Sequence, residues 1–154
     1  MGKTALLNKA VTNTFDPAYR ETLGCDLMLM DAATDDREKV TMRIWSCGGH
    51  ERFLPLVQQQ YPGTSGVLLL YDATDPESLK QCTFWHNEVL RALPEAAVIL
   101  VGTKCDLVDD IRVPEEDGQA QSVAWDVPHR RVSAKTGESV EELFDALLSS
   151  IGQK

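Results

Sequence analysis

Four short stretches of this 154-residue sequence carry residue types that suit the recognition of phosphate and of a nucleotide base. Gly2-Lys3-Thr4 precedes an apolar helical pattern and matches the closing half of the phosphate-binding loop GxxxxGK[ST]. SCGGH (46–50), TKCD (103–106) and SAK (133–135) each follow a predicted strand. Each stretch is short enough to occur by chance, so a functional interpretation depends on how they are arranged.

The two later stretches have the chemistry of a guanine site. The Asp106 carboxylate can accept paired hydrogen bonds from the N1 and exocyclic amino groups of guanine, a donor pair that adenine does not present. The Lys104 stem can lie along the base, and a backbone N–H at Ser133–Lys135 can reach the guanine oxygen. Taken separately, TKCD is also typical of a solvated strand end and SAK of a turn before a helix. Their order and their separation by one helix predict guanine recognition.

Alternating periods of strand and helix indicate how these stretches are positioned. The segments 25–30 and 40–45 predict an antiparallel hairpin, and the apolar runs 66–72 and 97–102 predict parallel strands covered on both faces. Helices are expected from Lys3, after Asp75, and after the capping box that begins at Ser139. The pattern is that of an α/β sandwich with a mostly parallel sheet, in which ligands bind at the carboxyl ends of the strands. All four stretches fall at that edge.

Composition limits the class of protein. The length indicates one domain over residues 1–154, and the formal charge of -9 argues against a nucleic-acid surface. Four cysteines without metal-ligand spacing indicate free thiols in a reducing compartment. We see no run long enough to cross a bilayer and no signal segment, and therefore expect a cytoplasmic protein.

These stretches, taken together, make the chain resemble a Ras-superfamily small GTPase and specifically a Rab protein. The resemblance covers nearly the whole chain and is carried by GKT, FDPAYRETLG, IWSCGGHERF, GVLLLYDATDPES, VGTKCDL and VSAKTGES. It implies a P-loop NTPase fold with one antiparallel hairpin, GTP/GDP and Mg²⁺ as ligands, and hydrolysis of GTP to GDP and phosphate. The long polar turn of the hairpin and SAKTGESV resemble the divergent ciliary or flagellar Rab-like branch.

The resemblance also implies residue roles. Lys3 would contact the β- and γ-phosphates, and Thr4 and Thr22 would ligate Mg²⁺. Thr22 would also read the γ-phosphate, and Gly49 would donate its N–H to it. The residues implied to bind the nucleotide are Gly2, Lys3, Thr4, Phe15, Tyr19, Gly49, Thr103, Lys104, Asp106, Ser133, Ala134 and Lys135. Among them, Phe15 matches the aromatic residue beside guanine and Tyr19 the tyrosine of the first switch loop.

Three departures from the family pattern affect these expectations. Met1 falls inside the phosphate loop, so we expect that the first central strand and half of that loop are missing from the given chain. Ser46 replaces an aspartate that holds Mg²⁺ through a water, which should weaken magnesium binding. His50 replaces the glutamine that orients the attacking water; translation-factor GTPases have histidine there, yet His50 could equally be a solvated loop residue.

The sequence therefore predicts a slow GTP-hydrolysing switch with His50 and Thr22 as catalytic residues. A pseudo-GTPase interaction module is the alternative, and a P-loop kinase of small molecules is a weaker one. Effectors and regulators would bind the switch loops, where Phe53 and Leu54 are candidate recognition residues. The tail SSIGQK has no cysteine for prenylation, so no lipid anchor is expected in this chain, although peripheral membrane association remains open.

Overall fold

A computed structural model describes residues 2–13, 15 and 25–152 of the chain. Within them the strands are β1 (Cys25–Ala33), β2 (Lys39–Cys47), β3 (Gly66–Asp72), β4 (Ala97–Thr103) and β5 (His129–Arg131). The α-helices are α1 (Lys3–Thr12), α2 (Leu54–Gln58), α3 (Pro76–Ala92), α4 (Glu115–Trp125) and α5 (Val140–Gly152), with 3₁₀ turns at Glu51–Phe53 and Val108–Asp110. Among these residues, no helix combines the length and apolar character that a membrane crossing requires.

The strands form two sheets. β1 and β2 pair antiparallel over their full lengths, and β3, β4 and β5 pair in parallel in that order. The predicted α/β architecture, with a hairpin and parallel strands, is confirmed. Within the described residues no strand joins β2 to β3, which is where the expected first strand would lie. A cleft of about 860 Å³ separates the hairpin from the parallel sheet.

Both faces of the parallel sheet are covered, as the continuous apolar runs of β3 and β4 predict. On one face, α1 and α5 pack their Leu6, Leu7, Leu143 and Phe144 side chains against Ile99 of β4. On the other face, buried residues of β3, α3 and β4 form a second cluster; they are Leu69, Tyr71, Cys82 and Leu100. From the hairpin, four half-buried side chains pack on the first cluster; they are Met28, Met30, Met42 and Ile44.

Helix α4 is the helix expected between TKCD and SAK, but no apolar pattern in the sequence predicts its bounds. Its first turn holds Glu115, Glu116 and Asp117, which interact favourably with the positive end of the helix dipole but resemble a solvated acidic loop in the sequence. Its buried residues are Gly118 and Ser122 rather than large apolar ones. A β-carbon at Gly118 would lie 2.4 Å from the hydroxyl of Tyr71, so glycine lets this helix approach the sheet.

Helix α5 begins at the predicted place but not with the predicted cap. Ser139 has φ 59°, which is left-handed backbone, whereas the capping box needs an extended residue there. The turn before it explains the difference, because the Val140 N–H donates to the Gly137 carbonyl at 3.3 Å. The stretch that follows SCGGH forms a 3₁₀ turn and then the five residues of α2.

Candidate functional site

One end of the candidate site lies where β4 and β5 end. Parallel strands bring their carboxyl ends to one edge, so the loop after Thr103 and the loop after Arg131 become neighbours. The Ser133 hydroxyl, which is fully buried, donates to Oδ1 of Asp106 at 2.7 Å. It also accepts the N–H of Thr136 at 3.1 Å, which closes the second loop on itself. The TKCD and SAK stretches therefore form one hydrogen-bonded unit, with Ala134 half-buried and Lys135 exposed beside it.

Lys104 is fixed within this unit by a carboxylate from the next strand. Its backbone has φ 62°, and its ammonium lies 2.7 Å from Oδ2 of Asp72, the last residue of β3. Asp72 is paired with Thr103 in the sheet register, so the ion pair bridges the two strand ends. Burial disfavours the charged form of Asp72, but hydrogen bonds from Lys104 and Thr74 outweigh it and lower the pKa of Asp72.

The other end of the site lies at the start of α1. Gly2 has φ 80°, a left-handed conformation that glycine adopts without strain, and its carbonyl accepts the first helical bond from Leu6 N–H at 2.9 Å. Lys3 and Thr4 follow in the first turn of α1. The N-terminal end of a helix attracts anions, because its backbone N–H groups and the positive end of its dipole point there. Burial lowers the pKa of Lys3, although nearby Cys47 and Cys82 oppose that change.

The SCGGH stretch meets Lys3 across the cleft, since Lys3, Ser46 and Gly49 all line it. Ser46 is 3% exposed, and within the described part of the chain its hydroxyl has no hydrogen-bond partner. The Gly49 carbonyl accepts a hydrogen bond from the indole N–H of Trp85 at 2.9 Å. His50 is exposed and caps the 3₁₀ turn, its Nδ1 accepting the N–H of Arg52 at 3.0 Å.

Known proteins are similar in sequence to this chain over nearly its whole length. The pattern that describes the Ras family matches residues 1–153. Ras-related protein SEC4 of Candida albicans is 32% identical over 155 residues, which cover 100% of this chain and 73% of the relative. Human Ras-related protein Rab-7b is 35% identical over 153 residues (97% and 76%), and GTP-binding protein ypt2 of Schizosaccharomyces pombe is 34% identical over 152 (98% and 76%). The chain belongs to the Ras family.

Within the Ras family these relatives are Rab proteins or close to them, so the chain is a Rab-like small GTPase, as its motifs predict. Proteins of this family bind GTP or GDP together with Mg²⁺. The structure brings TKCD and SAK together at one end, and Lys3 and SCGGH together at the other. The nucleotide contacts themselves stay predictions for Gly2, Thr4 and the other described site residues.

The magnesium position of a Ras-family protein can be compared with the side chains present here. Within the described residues the buried Ser46 hydroxyl has no hydrogen-bond partner, and a metal-bound water could supply one. Thr4, in the phosphate-loop stretch Gly2-Lys3-Thr4, provides a second hydroxyl. Both groups are neutral, whereas Mg²⁺ sites in proteins usually include one or two carboxylates besides the phosphates of the substrate. The residues therefore fit the ion, but they provide less negative charge than the family pattern, which has an aspartate in place of Ser46.

Three further residues of this Ras-family site were predicted from the sequence, namely Phe15, Tyr19 and Thr22. Tyr19 and Thr22 lie outside the described residues. Phe15 is described, and its ring is 37% exposed. The predicted guanine contact of Phe15 and the predicted roles of Tyr19 and Thr22 therefore stay predictions.

Two residues that position the site were not predicted to do so. Trp85 packs against the core, but its indole N–H also donates a hydrogen bond to the Gly49 carbonyl and so holds that loop. Asp72 was expected only as the end of a strand, yet it fixes Lys104. A sequence signal exists for Asp72, because a carboxylate closing a buried parallel strand needs a partner. None exists for Trp85, which lies at a regular helical spacing like its apolar neighbours.

Proposed function

We propose that this Rab-like chain is a guanine-nucleotide switch whose base-recognition site is the unit formed by TKCD and SAK. The observation that carries the proposal is the 2.7 Å hydrogen bond from Ser133 to Oδ1 of Asp106. It orients the carboxylate while leaving Oδ2 and further lone pairs for the two donors of guanine. Adenine would leave that carboxylate desolvated and unpaired, and sites of this kind reject the wrong analogue strongly.

At the phosphate end, we assign Lys3 to the β- and γ-phosphates and Thr4, Thr22 and a water on Ser46 to Mg²⁺. Magnesium would neutralise charge on the phosphates, and Gly49 would donate its N–H to the γ-phosphate. Loss of that phosphate would release the loop, which is the switching step of such proteins. Catalysis depends on positioning and charge, so the neutral Ser46 should make hydrolysis slow.

His50 is suited to orient water rather than to remove a proton. Because its Nδ1 accepts the Arg52 N–H, the hydrogen of the neutral ring is assigned to Nε2. An Nε2–H can donate to an attacking water or to a phosphate oxygen, but it cannot accept the proton that the water loses. This arrangement supports slow hydrolysis with His50 in an orienting role.

A pseudo-GTPase that turns over no nucleotide is the second candidate. The observation that favours it is the cleft between β2 and β3, because Lys3 and SCGGH face open space there rather than a neighbouring strand. In that case the guanine unit would bind nucleotide weakly, and the chain would act through its protein contacts alone.

Protein effectors and regulators are the proposed partners. Leu27 and Trp45 are directly opposite each other on the hairpin and are 41% and 37% exposed, and half-buried Phe53 and Leu54 follow the SCGGH loop. Exposed apolar side chains of this size favour protein recognition. We place the activity in membrane trafficking, peripheral to membranes, with the cilium or flagellum as the location that the sequence resemblance suggests.

Nucleotide content tests the function directly. The purified chain is denatured, and the supernatant is resolved by ion exchange; we expect GDP or GTP at a substantial fraction of the protein. Calorimetry with GDP and ADP in the presence of Mg²⁺, followed by phosphate release from GTP, then separates the candidates. Selective GDP binding with slow phosphate release supports a switch, and selective binding without release supports the pseudo-GTPase. Equal affinity for GDP and ADP would contradict guanine recognition.

A further inference from the structure

Two cysteines face each other at the base of the hairpin. Cys25 is the first residue of β1 and Cys47 the last residue of β2, and the register pairs them directly. Their sulfur atoms are 2.6 Å apart, and both residues are half-buried free thiols. Directly opposed residues in an antiparallel pair have Cα atoms about 4.5–5.5 Å apart, within the range that disulfides span. The backbone therefore already holds these thiols in a geometry that can be bridged.

A cation lies beside this thiol pair. Burial and the hydrogen bond to Cys25 raise the pKa of Cys47 to about 12, while the Lys3 ammonium opposes the rise. The Lys3 ammonium therefore lies where it would stabilise a thiolate formed at Cys47. Reactive cysteines are typically found in partly exposed surroundings with a neighbouring cation.

The other two cysteines lack a facing thiol. Cys82 is 3% exposed and contacts the Leu70 carbonyl at 3.4 Å, and burial raises its pKa to about 12. Cys105 contacts the Gly102 carbonyl and the Arg131 guanidinium. These two residues therefore serve as internal controls for any effect that depends on a pair.

We propose that Cys25 and Cys47 form a thiol–disulfide exchange site that low-molecular-weight disulfides, such as glutathione disulfide, oxidise reversibly. One cysteine of the pair, as its thiolate, attacks one sulfur of glutathione disulfide and releases one glutathione thiolate, which takes up the proton that this cysteine has lost. The other cysteine then loses its proton, attacks the protein sulfur of the mixed disulfide, and displaces the second glutathione thiolate, which takes up that proton. Two protein thiols are oxidised by two electrons in total, and one glutathione disulfide becomes two glutathione thiols.

The cysteine pair lies beside the proposed binding site for the nucleotide phosphates. Cys47 lies between Ser46 and Gly48 in the SCGGH stretch, and both Cys47 and Lys3 line the cleft. Bound phosphates would occupy Lys3 and cover this side of the cleft, so nucleotide should slow the oxidation several-fold. This coupling, unlike the exchange reaction itself, rests on the proposed function.

Thiol trapping tests the exchange reaction. The reduced full chain is incubated with defined ratios of reduced and oxidised glutathione, quenched with N-ethylmaleimide, and analysed by intact mass and peptide mapping. We expect the loss of two reactive thiols and one cross-linked peptide that joins Cys25 to Cys47, reversed by dithiothreitol. The variants Cys82→Ser and Cys105→Ser should form the same cross-link between Cys25 and Cys47 as the parent does. A cross-link that includes Cys82 or Cys105, or no cross-link in a folded parent, would overturn the proposal.

Two single variants test whether the reaction needs the pair. Cys47→Ser should stop at a glutathione adduct on Cys25, and Cys25→Ser should stop at a glutathione adduct on Cys47. An internal cross-link in either single variant, or no adduct in either folded variant, would overturn the proposal. Circular dichroism of each variant establishes that it is folded, and the same reaction in urea should lose its preference for the Cys25–Cys47 pair.

Oxidation with and without GDP·Mg²⁺ tests the coupling. If calorimetry detects GDP binding and the oxidation rate does not fall, the coupling is wrong. If GDP does not bind while the cross-link still forms, the proposed function fails and the exchange site stands. The two results are therefore distinguishable.

Discussion

The guanine end and the phosphate end of the candidate site differ in how fully their side chains are bonded. At the guanine end, Ser133, Asp106, Lys104 and Asp72 each have a defined partner at 2.7 Å, and the strands beneath are covered on both faces. At the phosphate end, Ser46 is buried with an orphaned hydroxyl, and Lys3 faces a cleft of about 860 Å³. Among the described residues, the first end is therefore organised by hydrogen bonds and an ion pair, whereas the second leaves a buried hydroxyl and an ammonium at the lining of a cleft.

The largest expected effect is a change in nucleotide specificity at the guanine end. Asp106→Asn replaces one acceptor by a donor and should reverse the match to guanine, weakening GTP binding and favouring xanthine nucleotides. The loss of preference for GTP over its competitors should approach about 10⁴-fold, because the site's discrimination rests on this carboxylate. Fluorescence titration with GTP, ATP and XTP measures it.

Asp109→Asn is the matched control for that change, because Asp109 is exposed on the 3₁₀ turn that follows the same loop. It should leave the three affinities unchanged. A GTP affinity that is insensitive to Asp106→Asn but falls with Asp109→Asn would refute the assignment of the base site.

The second prediction compares the stability of the two regions by the same substitution. Ile99 is fully buried in β4, whereas Ile44 of β2 is half-buried and lines the cleft. Ile99→Ala should lower the free energy of unfolding by about 2–5 kcal/mol, and Ile44→Ala by about 1–2 kcal/mol because it already faces open space. Urea unfolding measures both. Equal losses would mean that the hairpin is packed as tightly as the parallel sheet.

The fold could be predicted where burial imposes a pattern. The predicted bounds of β3 match the structure, and β4 extends one residue beyond its prediction, because strands covered on both faces need continuous apolar runs. The hairpin strands run further than predicted, since backbone pairing continues through the exposed Asp31 and Lys39, which no apolar pattern marks. The bounds of helix α4 could not be predicted, because small residues, Gly118 and Ser122, form its buried face.

The site divides in the same way. TKCD and SAK could be predicted to meet, because parallel strands bring successive carboxyl ends to one edge. The hydrogen bond from Trp85 to Gly49 could not, since it joins residues 36 positions apart through a helix face that looks purely apolar. Sequence patterns report burial well, but they do not report which polar atom of a packed side chain has found a partner.

The third prediction changes the charge at the phosphate end. Ser46→Asp should tighten Mg²⁺-dependent GTP binding roughly tenfold, because a carboxylate near the dication adds attraction that its own desolvation partly offsets. Without Mg²⁺ the same variant should be less stable than the parent, since the new charge would be buried and unpaired. Nucleotide titrations at varied Mg²⁺ and thermal melts in chelator measure the two effects.

Ser46→Asn, which is polar but neutral, is the control for this change. It should reproduce neither the gain with Mg²⁺ nor the full loss of stability without it. If Ser46→Asn and Ser46→Asp tighten GTP binding equally, charge is not the missing factor and the interpretation of the SCGGH stretch must change.

The smallest expected effect is the pH dependence of the Asp72–Lys104 ion pair at the guanine end. The pKa of Asp72 is lowered in the folded chain, so its charged form stabilises the fold. That contribution is complete above the ordinary carboxyl pKa of 3.8 and is lost as the pH falls through the lowered value. Because the Lys104 side chain is 41% exposed, we expect only about 1 kcal/mol from the pair.

Asp72→Asn isolates that contribution, since an amide oxygen can still accept the hydrogen bonds from Thr74. The parent should be more stable than Asp72→Asn at neutral pH, and the difference should vanish in acid; combining Asp72→Asn with Lys104→Met should reveal coupling between the two sites. The exposed pair Glu77–Lys80, tested by Glu77→Gln, should give almost no change at any pH. Urea unfolding between neutral and acidic pH measures all of these variants. A difference that grows as the pH falls would have the wrong sign for a lowered pKa, and Asp72 would then be held neutral rather than charged beside Lys104.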